Sequence, residues 1–350
     1  MLVIRPIAQH DLTALLDLAQ LTGFGLTTLP RDADLLRERI VESEESFRRM
    51  AQRPRGECYL FVMEDLATHA IVGTCGIASK VGGFEPFYAY RLETQVVESE
   101  MLGVRKEIQT LNLVTEHNGP CEIGSLFLRP EYRRDGNGKL LSLSRFLFMA
   151  EHRQRFDPAV IAEMRGVIDD RGASPFWDAL GKHFFEIDFP RADYLSMVNK
   201  KFIADLMPRN PIYVPLLPPE AQAVIGQVHP ETRPALKMLQ DEGFMGSGMV
   251  DIFEAGPVVL AKRDEIRTVR ESRRGVVQEI IRGTLATDCK PALIMNPRVD
   301  SRTCRSSIDV LASGDVRLDE ATAAALEVRL GDPVRHAALG PRSPLPGDLP

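Results

Sequence analysis

Cysteine is scarce in this chain. Five residues in 350 (Cys58, Cys75, Cys121, Cys289 and Cys304) make an odd, widely spaced set without a C-x-x-C pair. That pattern excludes a disulfide framework and a cysteine-based zinc site, so no metal is expected and the thiols read as buried groups of a reducing compartment. Long apolar runs are missing too. Nothing approaches the roughly 20 consecutive residues that span a bilayer, and the opening MLVIRPIAQHDL lacks the apolar core of a signal peptide, so a cytoplasmic location is expected. Positive charge is not in excess: 43 Lys and Arg face 49 Asp and Glu, giving a net charge of −6 and a pI near 5.8. A nucleic-acid or membrane partner would call for a basic face, and small molecules are the expected partners instead. Tryptophan occurs once, at Trp177, which reads as core. What remains is ordinary globular material, 44% hydrophobic and 26% charged, in a length that suits two domains better than one.

The order of elements is α/β. LVI at residues 2–4 reads as a strand, Asp11 as the cap of a first helix, and residues 32–50 as a second helix rich in Glu and Arg. CYLFVMED and AIVGTCGIAS, joined by a turn at residues 67–69, form a hairpin, and PFYAYRLETQVV and EIQTLNLVTE continue an antiparallel meander. CEIGSLFLRP is the next strand. The helix KLLSLSRFLFMAEH is apolar nearly all round, which predicts burial on several sides. Strand AVIAEMRGV and helix SPFWDALGKHFF follow, then strand-like PIYVPLL and AVIGQVH. PETRPALKMLQDEGF aligns with SPFWDALGKHFF through Pro175 and Pro234, Leu180 and Leu239, Phe185 and Phe244. This echo has two readings: a partial duplication giving a second related half, or the commonness of proline-started amphipathic helices. Beyond Val269 the pieces are short and β-rich, with a helix at residues 320–326 and a proline-rich tail.

Chemistry concentrates at Arg133-Arg134-Asp135-Gly136-Asn137-Gly138, an R-x-x-G-x-G turn after a strand and at the start of a helix. A helix N-terminus offers unpaired N–H groups and a positive dipole end, and glycines allow a pyrophosphate to approach them. The arginines add charge-assisted contacts. A P-loop is excluded because Leu140 follows Lys139 where Ser or Thr is required. A dinucleotide fingerprint is excluded because Leu141 stands at the third glycine position and the preceding strands are antiparallel. An acyl-CoA cradle, which needs meander, strand, hexapeptide and helix in that order, fits; a glycine-rich turn that binds nothing is the plainer alternative. Gly243-Phe244-Met245-Gly246-Ser247-Gly248 follows a helix and so presents carbonyls, with Gly243 as a C-cap.

With LVIRPI, CEIGSLFLRP and R-x-x-G-x-G in place, the chain resembles the GCN5-related N-acyltransferase superfamily. GFGLTTLP, SLFLRPEYRRDGNGKLLSLSRFLFMAEH, IAEMRGV, FIADLMP and PIYVPLLPPEAQAVIGQVHP resemble the arginine N-succinyltransferase family over residues 1–259. The resemblance implies a mixed, mostly antiparallel sheet flanked by helices, and transfer of the succinyl group from succinyl-CoA to the α-amine of L-arginine, giving N2-succinyl-L-arginine and CoA. Succinyl-CoA is then a co-substrate, with no permanently bound cofactor. It also implies Leu126 as a succinyl-CoA contact on a strand, with Phe127 and Leu128, that splays from its neighbour, and His229 as the proton donor. The domains expected are an acyl-CoA-binding domain at 1–200, a second half carrying His229 at 201–265, a small β-rich module at 266–338 and a disordered tail at 339–350. Ornithine as acceptor, and a non-catalytic CoA-binding subunit of a hetero-oligomer, stay open; a homo-oligomer or a pairing with a homologous subunit is expected.

Individual residues are weighed against plainer roles. His10, His69, His117, His152 and His336 lie in helix starts, turns or polar stretches and read as solvated. His229 differs in ending the strand-like AVIGQVH before Pro230, a place from which a side chain can be aimed into a cleft. An imidazole titrating near neutrality serves acyl transfer either by taking the amine's proton or by protonating the departing thiolate. Cys121 reads as a small buried apolar residue, not a nucleophile. A guanidinium calls for a carboxylate and a succinyl tail for a cation; Glu163 and Arg165, alternating on one face of AVIAEMRGV, are the candidates, against an ordinary solvated strand face.

Overall fold

Strand β1 (Leu2–Pro6) pairs antiparallel with β2 (Cys58–Asp65), burying Val3 and Ile4. The computed structural model describes residues 1–23, 25–26, 28–285 and 289–339. Helices α1 (Leu12–Leu21) and α2 (Ala33–Arg48) lie between these strands, and their apolar stripes, Leu15, Leu18, Leu36 and Ile40, share one core cluster. Asp32 caps α2 by accepting from the N–H groups of Asp34 and Leu35. Asp11 does not cap α1. Its buried carboxylate accepts from the Ala8 N–H and from both terminal nitrogens of Arg5, a charge-assisted pair that outcompetes a helix N–H.

The meander continues through β3 (Ala70–Ala78), the long hairpin β4 (Gly82–Ser99) and β5 (Val104–Asn118), and β6 (Cys121–Leu128). Helix α3 (Asn137–Glu151) has every residue from Leu140 to Ala150 buried, as its all-round apolarity predicts. Strand β7 (Ala159–Glu163) then runs parallel to β6. SPFWDALGKHFF is not one helix. It divides at Leu180 into α4 (Pro175–Ala179) and α5 (Gly181–Phe185), and Gly181 sits where a Cβ would meet the Trp177 ring at 2.3 Å. Trp177 is fully buried, its indole N–H donating to the Ile187 carbonyl at 3.0 Å.

After α6 (Phe189–Val198), α7 (Lys201–Leu206) and the short β8 (Ile212–Tyr213), the strand expected at AVIGQVH is absent. Its first residues complete α8 (Pro219–Val224), whose opening prolines pre-set helical φ and override the β-branched residues that follow. His229 therefore caps a single tight turn at Pro230–Thr232 ahead of α9 (Arg233–Asp241), and does not end a strand. Strands β9 (Met245–Val250) and β10 (Pro257–Lys262) pair with β4 and β7. Residues 201–265 thus extend the first sheet, in the order β1-β2-β3-β6-β7-β10-β9-β4-β5-β8, and build no sheet of their own. The two helices of the echo also differ in packing: α4 and α5 join the Trp177 cluster, whereas Leu239 of α9 joins the core around α3.

Helix α10 (Arg267–Glu271) leads into β11 (Arg273–Ile281), β12 (Lys290–Met295), β13 (Thr303–Val310), β14 (Val316–Asp319), α11 (Glu320–Leu326) and β15 (Pro333–Ala338). The five strands pair in a closed ring, β12-β15-β11-β14-β13 and back to β12, around Val277, Ile294, Ile308, Leu318 and Val334. Closure removes the strand edges that so small a sheet would expose. The barrel joins the main sheet where Val3 of β1 faces Cys304 of β13. The α/β class and the mixed, mostly antiparallel sheet are as expected. Of the expected tail, Leu339 donates to the Pro291 carbonyl at 3.0 Å, and residues 340–350 lie outside the described residues.

None of the five cysteines is in a disulfide, and burial pushes the Cys121 thiol well up, away from nucleophilic use. His152 and His336 are buried rather than solvated: His152, at the end of α3, has Nε2 3.3 Å from the Arg298 carbonyl, and His336 lies on the barrel strand β15. Among the described residues no helix is long and apolar enough to cross a membrane.

Candidate active site

Strands β6 and β7 pair only at Cys121 with Val160 and Glu122 with Ile161, and beyond that point they part. On its other edge β6 carries one extra residue against β3 between Gly124 and Phe127, with Ser125 in the left-handed region at φ 51°. Thr28 holds this bulge by accepting from the Ser125 N–H at 3.1 Å. Into the gap between the parted strands opens a cavity of about 1060 Å³, lined along its length by Leu126, Phe127 and Leu128.

One end of the cavity is basic and made by the start of α3. Gly136 takes φ 73°, a left-handed conformation that suits glycine, and turns the chain into the helix. The N–H groups of Gly138 and Lys139 stand in the first turn, where no intrahelical acceptor exists. Arg133, Arg134, Gly136, Gly138 and Lys139 all line this end. Arg133 is braced by donating from Nε to the Leu128 carbonyl at 2.9 Å, with its guanidinium over the Phe127 ring. Asn137 does not reach the cavity. Its side chain donates to the Tyr132 carbonyl at 3.1 Å and so holds the turn from behind.

The other end is acidic. Glu122, Glu163, Asp193, Asp251 and Glu254 line it, with Lys200 and Arg39 among them. The Glu163 side chain is open to the cavity, and desolvation between the cavity walls, reinforced by Glu122 and Asp251, drives its carboxyl well above its usual range. Burial and Asp251 do the same to Glu254, and burial pushes Asp193 up to about 7. Glu254 is held here because Gly166 and Gly256 let two chain segments touch: a Cβ on Gly256 would stand 2.0 Å from the Met164 carbonyl.

Glu163 and Arg165 both line the cavity, but not as neighbours on a strand face, since β7 ends at Glu163. Arg165 is half-buried, with Nη1 3.7 Å from Glu231. His229 stands outside the cavity wall, although Glu231 and Thr232 of its own turn are part of it. Its N–H donates to the Arg165 carbonyl at 2.8 Å, and its Nδ1 accepts from the Glu231 N–H at 3.3 Å. Burial and the Arg165 charge hold the imidazole below its ordinary pKa, against the opposing pull of Glu231.

The profile of a family described as arginine N-succinyltransferase beta subunit matches residues 2–268, and that of its C-terminal domain matches residues 273–338. The chain belongs to the arginine N-succinyltransferase family. The likeness therefore runs through the barrel, past the limit at residue 259 that the sequence motifs alone suggested. An arginine N-succinyltransferase subunit beta from Pseudomonas aeruginosa is 45% identical over 97% of this chain and 98% of its own length. An arginine N-succinyltransferase from Enterobacter is 44% identical over the same shares. Among solved structures, arginine/ornithine succinyltransferase subunit AI from Pseudomonas aeruginosa superposes with a TM-score of 0.88 at 36% identity, covering 97% of this chain and 99% of that one.

Sequence reasoning missed most of the acidic end, because Glu122, Asp193 and the pair Asp251 and Glu254 come from three separate segments that only the tertiary fold brings together. It also missed Arg145, which lines the cavity from the middle of α3. There a signal existed: one arginine inside an otherwise apolar helical run.

Proposed function

We propose that this chain transfers the succinyl group of succinyl-CoA to the α-amine of L-arginine, releasing CoA and N2-succinyl-L-arginine. The observation that carries the reading is that one continuous cavity has a basic, glycine-rich helix start at one end and a cluster of carboxylates at the other, in a member of this family. The pyrophosphate of the thioester lies against Arg133, Arg134, Gly136, Gly138 and Lys139, and the pantetheine arm follows the β6 edge at Leu126, Phe127 and Leu128. Coenzyme A thus serves as co-substrate. The guanidinium faces Glu163 and its neighbouring carboxylates, whose mutual repulsion a cation relieves.

The amine nitrogen attacks the thioester carbonyl, a C–N bond forms, and the C–S bond breaks. The ammonium proton leaves to solvent and the departing thiolate takes up one proton, which we assign to His229. The turn carrying His229 is bonded through Arg165 to the cavity wall. The reaction belongs to the cytoplasm, where succinyl-CoA and free thiols coexist, and the subunit naming of the Pseudomonas aeruginosa relatives supports assembly with itself or with a homologous chain.

Thiol release by the purified chain, measured with succinyl-, acetyl- and butyryl-CoA against arginine, ornithine and lysine, tests this. Turnover with succinyl-CoA and arginine is expected to exceed other combinations. Tight CoA binding without turnover in any combination would favour a non-catalytic subunit that works only beside a partner chain.

A further inference from the structure

Arg145 is 2% exposed, in the middle of α3, and lines the floor of the cavity where β6 and β7 begin to part. Its Nε donates to the Ser142 carbonyl at 3.0 Å, one terminal nitrogen to the Ser142 hydroxyl at 2.9 Å, and the other to the Gly124 carbonyl at 3.4 Å. A guanidinium has five N–H donors, and these contacts account for three. No carboxylate lies within ion-pair distance of it among the described residues, and the ionisable groups that act on its charge are the buried thiols of Cys75 and Cys121. A cation taken out of water without a counter-charge is strongly disfavoured, and one kept at the wall of a ligand cavity is placed to meet an anion that arrives.

The other cations of the cavity have different neighbours: Arg39 and Lys200 stand among the carboxylates of the acidic end. Arg133, Arg134 and Lys139 stand at the helix start, and Arg165 faces Glu231, Glu254 and Asp193. Arg145 instead touches Gly124, next to the bulge at Ser125 and two residues from Leu126. It stands seven residues along α3 from Gly138, about 10 Å deeper at 1.5 Å per residue. We propose that Arg145 is the residue that selects a dicarboxylic acyl donor, its guanidinium donating to the distal carboxylate of the acyl chain while the thioester lies against the β6 bulge. The proposal rests on the succinyl-CoA reading above and names the group responsible for it. With that carboxylate bound, the remaining N–H donors and the charge are satisfied together; a butyryl chain, of equal length with a methyl in place of the carboxylate, leaves both unmet.

The test is the ratio of kcat/KM for succinyl-CoA to that for butyryl-CoA, which does not depend on the fraction of enzyme that is active. Arg145→Met and Arg145→Gln are expected to lower this ratio by at least about tenfold, while calorimetric affinity for free CoA stays near wild type. Arg145→Lys keeps the charge without the two-pronged geometry, gives an intermediate ratio, and serves where the uncharged variants do not fold. A ratio within about twofold of wild type in any folded variant that lacks the guanidinium overturns the assignment, the donor reading then standing on the wild-type preference. A wild-type enzyme that uses butyryl-CoA as well as succinyl-CoA overturns the donor reading and this assignment with it.

Discussion

The guanidinium of Arg305, on β13 of the C-terminal barrel, donates to the carbonyl of Asp135 in the glycine-rich turn that opens α3. At the far end of the same helix Arg274 and Arg335, also from the barrel, both engage the buried carboxylate of Glu151, and burial of Glu151 is outweighed by these two charges so that it stays ionised below its usual range. Leu293, Met295 and Ala337 of the barrel pack in the core cluster of α3. The barrel therefore grips α3 at both ends and along its side, and the cradle is set partly by residues more than a hundred positions away.

Arg305→Ala is accordingly expected to weaken succinyl-CoA binding by about tenfold, the scale of one charged hydrogen bond, with kcat at saturation little changed. Calorimetric titration reads the affinity and steady-state kinetics the split. An unchanged Kd would make the contact incidental.

Gly138→Val probes the cradle directly. A Cβ built on Gly138 meets nothing within 4 Å, and Gly138 lines the cavity, so the branched side chain fits the fold and fills the space a phosphate needs. The expected result is a melting temperature within a few degrees of wild type and at least about tenfold weaker binding of coenzyme A esters. Full affinity in the folded variant would remove the helix start from the binding site.

What could be read from the sequence follows the range of the interactions. The hexapeptide, the helix that starts near residue 32 and the helix at residues 320–326 depend on neighbours within a few residues, and the structure has them where the pattern placed them. AVIGQVH reads as a strand but is none, because two prolines upstream start a helix that β-branched composition does not announce. The barrel closure, the splay of β6 from β7 and the acidic end depend on strand order, which no local pattern carries. Arg145 sat in view: in a helix otherwise buried and apolar, its charge was the anomaly that marked the floor of a site.

Seating the guanidinium at the acidic end, as proposed above, makes arginine binding sensitive to pH. Burial holds Asp193 protonated up to about 7, against an ordinary aspartate value near 3.8. Since the folded value is raised, the folded state binds more protons between these limits, and stability falls as pH rises through that window. Asp193→Asn removes the penalty, so its melting temperature is expected to rise relative to wild type at pH 8 and to match it near pH 4. An arriving guanidinium favours the ionised carboxylates, so arginine binding near pH 6 is expected to release protons and to tighten toward pH 8. Calorimetry in buffers of different ionisation enthalpy counts the protons; release of none would place the guanidinium elsewhere.

His229→Gln bears on the proton that the thiolate receives. A positioned acid is typically worth roughly 10²- to 10⁴-fold, so kcat is expected to fall by at least about a hundredfold with little change in succinyl-CoA affinity. The pH dependence fixes the role. Burial and the charge of Arg165 depress the His229 pKa, so the imidazolium is a minority species at neutrality but a stronger acid when it forms. A donor that must be protonated then gives a kcat that declines as pH rises through a value below histidine's ordinary 6.5, and that decline is absent from the glutamine variant. A base acting on the amine gives the opposite sign, a kcat that climbs through the same value and holds at higher pH. Nδ1 accepts from the Glu231 N–H, which fixes the neutral ring with its proton on Nε2; forming the imidazolium breaks that bond, in keeping with the lowered pKa, so the sign of the pH profile decides between donor and base. A climbing limb lost in His229→Gln would assign His229 to the amine instead. A variant with more than about a third of wild-type kcat would set His229 aside altogether, in keeping with its place outside the cavity wall.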